Sequence, residues 1–171
     1  MSKQFSIDAL NAMSAEEFTA ALGAIFEHSP WVAQRAAAKR PFRNLQQLHE
    51  AMAQAVRSAS QEEQLALIRA HPELAGKAAV RGELTEESTR EQKGAGLDQC
   101  SPEEFARMQD LNRRYNDKFG FPFVIAVKGH NRQSILDNFA KRLENDRATE
   151  AKECIEQIIR IGGFRLADAI R

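Results

Sequence analysis

The stretch SPEEFARMQDLNRRYNDKFGFPFVIAV, residues 101–127, decides the fold class because it combines a helix start, a helix stop and an apolar segment. Ser101, followed by proline and then by two glutamates, is a strong signal for a helix N-terminus. Gly120 is typical of the residue at which a helix ends. The stretch therefore predicts a helix over about 102–119, followed directly by a segment that is not helical.

Helix signals of the same kind recur along almost the whole chain. Ser14 and Ser60 each have a glutamate three residues later, which is the spacing of a capping box, and Ser29 precedes a proline. No internal repeat, low-complexity tract or long linker interrupts this pattern. We predict an all-α fold, a single helical domain over residues 1–171 with roughly eight helices.

Composition limits the classes of function. The 171 residues suit one domain, and a hydrophobic content of 43% is enough for a core, which excludes a disordered chain. The 24 Lys and Arg residues balance the 24 Asp and Glu residues, so the formal net charge is zero. A neutral chain argues against a nucleic-acid-binding surface.

Neither cysteines nor targeting signals indicate a secreted or membrane protein. Cys100 and Cys154 are far apart and form no CxxC pair, and no signal peptide or peroxisomal tripeptide is recognisable. No apolar run approaches the roughly 20 residues that span a bilayer. We therefore expect reduced thiols, no membrane association and a cytoplasmic location.

The segment FPFVIAV, residues 121–127, breaks the helical pattern. It is apolar and β-branched, as in a strand, yet no second convincing strand exists with which it could pair. Buried in an extended conformation, it would have N–H and C=O groups that need partners. One interpretation is a core connector with ordinary partners. The other is a backbone cradle whose amides bind a ligand.

His71 lies at a joint between two helical segments. The run QEEQLALIRA stops at His71-Pro72, because a proline disfavours the helical conformation of the residue before it. A side chain at such a joint can point into a cleft. The other three histidines lack this combination. His71 is either a structural histidine or a general acid or base, and its position alone leaves both open.

Two further polar sites stand out. Ser88, Glu91 and Gln92 have the spacing of one helix face, either a hydrogen-bonding wall or a solvated surface. Arg165 lies between two apolar residues, just after Gly162-Gly163, a pair expected to interrupt and bend the terminal helix. This arginine either covers the core with its stem or is presented to an anion.

No motif indicates a metal or a cofactor. The sequence contains no HxH, HxxxH, HExxH or paired-cysteine spacing, no nucleotide-binding glycine fingerprint and no GxSxG. The simplest enzymatic interpretation is a site with neither metal nor cofactor.

Four stretches together resemble the 2-oxo-4-hydroxy-4-carboxy-5-ureidoimidazoline (OHCU) decarboxylase family. They are HPELAGK (71–77), the S-x-x-E-Q pattern of 88–92, LNRRYNDKFGFPFVIAV (111–127) and the terminal FRL (164–166). The resemblance covers the chain from about residue 7 to its end. It implies an all-helical, cofactor-free and usually dimeric enzyme. Such an enzyme decarboxylates a ureide, OHCU, to (S)-allantoin in urate breakdown.

The resemblance also implies roles for individual residues. His71 corresponds to the catalytic histidine that delivers a proton, with Glu91 and Arg165 as further catalytic residues. The implied substrate-binding residues are Pro72, Ser88, Gln92, Phe123, Val124, Ile125, Ala126 and Val127. The sequence departs from the family pattern at KGHN, residues 128–131, where an arginine is expected soon after the cradle. A missing peroxisomal tail suggests a bacterial-type cytosolic member.

Two other functions fit parts of the sequence. A helical interaction domain would explain the caps and the neutral charge, but not the conjunction of His71-Pro72, the Glu91-Gln92 face and the unpaired apolar segment. A ureide hydrolase would need an activated water and usually a metal, for which the ligand spacing is missing. Affinity for ureides and release of CO₂ distinguish these alternatives from a decarboxylase.

Overall fold

Ten α-helices account for most of residues 4–171, which are the residues that the computed structural model describes. They are α1 (Ile7–Ala12), α2 (Ala15–Leu22), α3 (Trp31–Ala37), α4 (Leu45–Arg57), α5 (Gln61–Ala70), α6 (Lys77–Val80), α7 (Glu86–Gly94), α8 (Pro102–Phe119), α9 (Arg132–Arg142) and α10 (Arg147–Ala169). A 3₁₀ turn, Leu97–Gln99, precedes α8. Within the described residues, β-structure is limited to one isolated bridge between Phe5 and Ile170. The all-α prediction is confirmed.

Local capping explains where the helices begin and end. The Ser14 and Ser101 side chains each accept the N–H of a glutamate three residues later, and each glutamate bonds back, which completes two capping boxes. Gly120 ends α8 at φ 78°, a left-handed conformation that favours glycine. Each such cap stabilises its helix by about 1 kcal/mol. The structure has ten helices where roughly eight were predicted. One of the ten, α1, has only six residues.

The chain divides into two compact units. Unit 1 contains the chain up to Ala70 together with residues 158–171, and unit 2 contains residues 71–157. The boundary falls inside α10, so that helix supplies residues to both units. The assignment of residues 1–171 to one domain stays a prediction.

Unit 1 has an aliphatic and aromatic core supplied by α1 to α5 and the end of α10. Phe18, Phe26, Leu48 and Met52 are almost fully buried there. Gly162 lies against the Phe26 ring, and a Cβ at this glycine would approach the ring to 2.5 Å. An interruption of α10 was expected at Gly162-Gly163, but the helix continues through both residues. A glycine at position 162 allows the helix to pack closely against the Phe26 ring.

Unit 2 is built around an aromatic cluster. Tyr115 of α8 contacts the Phe119 ring at 4.5 Å between centroids and the Phe123 ring at 5.5 Å. Phe123 stacks on Phe139 of α9 at 3.9 Å. All residues of the segment 121–127 are buried, so the predicted apolar segment runs through the core of this unit. No helix in the described part of the chain has the length and apolarity needed to cross a membrane.

Candidate active site

The segment 71–76 connects α5 to α6 and carries His71 and Pro72. His71 is buried, with 7% of its surface exposed. Four residues later, Ala75 has φ 50°, in the left-handed region that residues other than glycine rarely adopt. Such a conformation costs on the order of 1 kcal/mol or more and persists only where the surroundings fix it. The turn after His71 is therefore held in place by other parts of unit 2.

Gln92 of α7 is one of the groups that hold this turn. Its Oε1 accepts the Ala75 N–H at 3.0 Å, and its Nε2 donates to the Glu73 carbonyl at 3.3 Å. Both ends of the amide thus bind the backbone next to His71. The predicted contact of Gln92 with substrate stays a prediction, and the structure adds a positioning role that the sequence did not indicate.

The other two residues of the predicted S-x-x-E-Q face lie on the same helix. Ser88 and Gln92, one turn apart, are buried, and Glu91 is half-buried. Thr85 caps α7 by accepting the Ser88 N–H at 3.2 Å. The face is therefore not the solvated surface that was the alternative interpretation of this triplet. It belongs to the same unit as His71 and contacts its turn through Gln92.

The segment Phe123–Val127 presents backbone groups in an alternating pattern. The Val124 N–H lies beside the Cys154 thiol, and the Ala126 N–H donates to Gln157 Oε1 at 2.9 Å. In an extended chain, successive residues point to opposite sides, so the N–H groups of Ile125 and Val127 point away from these partners. Within residues 4–171, no protein group accepts a hydrogen bond from either of them. This arrangement favours a backbone cradle over an ordinary core connector.

A buried ionic network fixes the same segment from behind. Arg142 Nη1 donates to the Val124 carbonyl at 2.6 Å, and Arg142 Nε donates to Glu150 Oε1 at 2.9 Å. Tyr115 Oη also donates to Glu150 Oε1, at 2.6 Å. The Arg142 guanidinium lies 4.4 Å above the Phe123 ring. Burial is the main reason that the pKa of Tyr115 lies far above its ordinary value, so its hydroxyl remains a donor.

The sequence contains a signal for this network, although neither Arg142 nor Glu150 was predicted from it. Arg142 lies on the apolar face of α9, seven residues after Ile135 and three after Phe139. Glu150 lies four residues before Cys154, on the buried side of α10. A charged residue on an otherwise apolar helix face indicates a buried partner, because an unpaired charge is strongly disfavoured there.

Arg165 belongs to unit 1 and is itself buried, with 6% exposure. Its Nη2 forms an ion pair with Glu27 Oε2 at 2.9 Å, and its Nη1 donates to the Ile25 carbonyl at 3.3 Å. Glu27 is also buried, at 2% exposure, and was not identified from the sequence. The charged head of Arg165 is therefore held by an internal anion rather than placed in solvent. Its contact with substrate stays a prediction.

His49 links two helices of unit 1. Its Nε2 lies 2.8 Å from the Ile159 carbonyl of α10. No cluster of three His, Cys, Asp or Glu side chains suited to a metal ion occurs among the described residues.

A family model for OHCU decarboxylase matches residues 11–167 of this chain. The uric acid degradation bifunctional protein PucL of Bacillus subtilis is 45% identical over 97% of the chain, which spans only 33% of that relative. The 2-oxo-4-hydroxy-4-carboxy-5-ureidoimidazoline decarboxylase of Haloferax volcanii is 39% identical over 96% of both chains.

Two solved structures are similar in fold. A crystal structure of (S)-allantoin synthase has a TM-score of 0.78 and 26% identity, covering 97% of this chain and 54% of that one. A crystal structure of OHCU decarboxylase in the presence of (S)-allantoin has a TM-score of 0.67 and 18% identity, covering 90% and 96%. The second likeness, at this identity, concerns the fold alone.

Proposed function

Because this chain belongs to the OHCU decarboxylase family, we propose that it converts OHCU to (S)-allantoin and CO₂ in urate breakdown. The observation that carries the proposal is the similarity over almost the entire length of the Haloferax relative, whose name states this activity. The chain spans only about a third of the Bacillus bifunctional protein, so no second activity of that relative is proposed for this chain.

The proposed reaction begins with loss of the carboxylate as CO₂. The bond between the ring carbon and the carboxylate breaks, and its electron pair moves into the conjugated system of the ring. Backbone donors aimed at the developing negative charge lower this barrier, because they need no reorganisation during the reaction. The N–H groups of Ile125 and Val127 are suited to this task, since the Ala126 N–H between them bonds to Gln157 on the other side of the segment.

The hydroxyl-bearing carbon that lost CO₂ becomes a carbonyl, and a proton must reach the neighbouring ring carbon, which carries the ureido group, from one face, which produces a single enantiomer. We assign this step to His71, because an ordinary imidazole titrates near neutral pH and can act as a general acid. Its burial at the end of a fixed turn supports one direction of approach. The Glu91 carboxylate is suited to accept hydrogen bonds from the ureido N–H groups, and the Arg165 guanidinium is suited to a carboxylate or carbonyl of the substrate.

The remaining substrate contacts are proposed for Pro72, Ser88 and Gln92 and for the backbone of Phe123–Val127. We further propose that the reaction proceeds without metal or cofactor, and that the protein is a cytoplasmic homodimer. The homodimer proposal rests on the family resemblance and on the supply of apolar helix faces.

Polarimetry on freshly generated OHCU tests the function directly. The expected result is fast accumulation of optically active allantoin together with one equivalent of CO₂. The uncatalysed reaction, which has no chiral environment, provides the racemic baseline. Racemic product at the uncatalysed rate would contradict the proposal, whereas ureide breakdown without CO₂ would indicate a hydrolase.

A further inference from the structure

Helix α8 carries three side-chain amides along one face. Gln109, Asn112 and Asn116 are spaced by three and four residues, so their side chains lie one above the other. Asn112 is buried, with 2% exposure, and the other two are half-buried. We call these three residues the amide ladder.

Each member of the amide ladder donates to the turn that follows His71. Asn116 Nδ2 donates to Glu73 Oε1 at 2.6 Å, Asn112 Nδ2 to the Leu74 carbonyl at 2.9 Å, and Gln109 Nε2 to the Ala75 carbonyl at 2.7 Å. Three consecutive residues of the turn are thus bound, one each, by the three amides along this helix face. Because each turn residue has its own partner, these bonds fix the path of the turn along α8 and do not merely keep it close to the helix.

The turn needs this external support. Residues 71–76 belong to no helix, and Ala75 is in the left-handed region at φ 50°. Strained backbone of this kind persists where surrounding contacts over-determine it. Gln92 of α7 supplies two further bonds to the same residues, so amides from two helices enclose the turn.

Asn112 provides a second, independent observation. Its Oδ1 is the only buried side-chain N or O atom in residues 4–171 that has no hydrogen-bond partner. A buried acceptor without a partner lowers stability, and in a native structure it needs an explanation. An apolar side chain would fill the same space without that cost. The explanation that fits is the bond from Asn112 Nδ2 to the Leu74 carbonyl.

We propose that the amide ladder is a positioning device that fixes the His71 turn for the protonation step. The proposal rests on the role proposed above for His71. The three side chains act through the turn, and they are therefore positioning residues. Apart from Pro72, the proposed substrate contacts lie outside the turn, on α7 and in the segment 123–127. Loss of one of the three amides should therefore lower turnover much more than the affinity for substrate.

The test uses Gln109→Met, which keeps the length of the side chain and removes its donor. The matched control is Arg107→Met, at an exposed position on the opposite side of α8. Steady-state kinetics on fresh OHCU and amide hydrogen exchange of the segment 72–80 are measured on both. We expect kcat of Gln109→Met to fall about tenfold with KM within twofold, as for one lost hydrogen bond expressed in the transition state. Exchange should accelerate about tenfold in the segment 72–80 and remain unchanged in α9.

Several results would overturn the proposal. One is a kcat equal to that of Arg107→Met, and another is a rise in KM at constant kcat. Unchanged exchange in the segment 72–80 would do the same. Asn116→Leu, at a half-buried position, repeats the measurement should Gln109→Met fail to fold. Wild-type protein and His71→Ala are assayed in parallel. An inactive wild type rejects the proposed function. A fully active His71→Ala rejects the role of His71 and with it the role of the amide ladder in protonation, whereas the bonds between the ladder and the turn are tested separately by exchange.

Discussion

Variants of the buried Arg142–Glu150 pair should show whether this pair contributes to activity as well as to the stability of unit 2. The Glu150 side chain is fully buried and accepts from Arg142, Tyr115 and Asn145. Glu150→Ala removes all three bonds and leaves the Arg142 guanidinium buried without its counterion. Removing one partner of a buried pair typically costs about 3–5 kcal/mol, which for a chain of this size lowers Tm by about 6–20 °C.

The informative comparison is a double replacement, Arg142→Met with Glu150→Leu. Exchange of both charged partners for apolar residues avoids an unpaired buried charge, so this variant should regain at least half of the stability that Glu150→Ala loses. It also removes the bond from Arg142 Nη1 to the Val124 carbonyl. If that bond fixes the cradle, kcat/KM stays roughly tenfold or more below the parental value even though the protein is stable.

Urea denaturation measures the free energy of unfolding, and polarimetry measures kcat/KM. The control is Asp110→Ala, which removes a surface pair with Arg113 whose side chains are 46% and 68% exposed. That change should alter stability by less than about 0.5 kcal/mol. A loss below about 1 kcal/mol for Glu150→Ala would refute the burial argument. A double variant with parental kcat/KM would refute the link between the ionic network and the cradle.

Four further predictions concern the proposed reaction. His71→Ala should lower the enzyme-dependent rate by about a hundredfold or more while circular dichroism stays helical, and near-parental turnover would exclude His71 as the proton carrier. Arg165→Lys keeps a charge beside Glu27 but loses the planar fork, so kcat/KM should fall by about tenfold. A parental kcat/KM would reject the substrate clamp, and in that case Arg165→Ala would mainly lower the free energy of unfolding, by about 3–5 kcal/mol. Exhaustive treatment with EDTA should leave activity unchanged, and a loss restored by zinc or manganese would show a metal requirement. For the proposed homodimer, light scattering at micromolar concentration should give about twice the chain mass of 19.2 kDa. A clean monomer would contradict it.

The helices were predictable because their signals are local. Ser101 and Gly120 mark the two ends of α8 through bonds to residues within four positions, and the structure forms those bonds. The apolar segment 121–127 was predictable for the same reason, since its composition alone excludes a solvated loop.

The partners that hold the site were not predictable, because they are distant in sequence. Glu27 pairs with an arginine 138 residues away, and Gln92 binds backbone groups 17 and 19 residues away. The expected interruption of α10 at Gly162-Gly163 was wrong for a related reason. The pair was interpreted through its local flexibility, whereas its role depends on the Phe26 and His49 rings that pack against it.

The proposed recognition of substrate through the N–H groups of Ile125 and Val127 has a consequence for mutational tolerance. A main-chain donor is present whatever side chain is attached, so conservative apolar replacements at these two positions leave the donor in place and change only the packing. Selection on substrate recognition and selection on core volume therefore act on different atoms of the same residue. Proline is the one standard replacement that removes the donor, and an amide-to-ester exchange would remove it with the side chain intact.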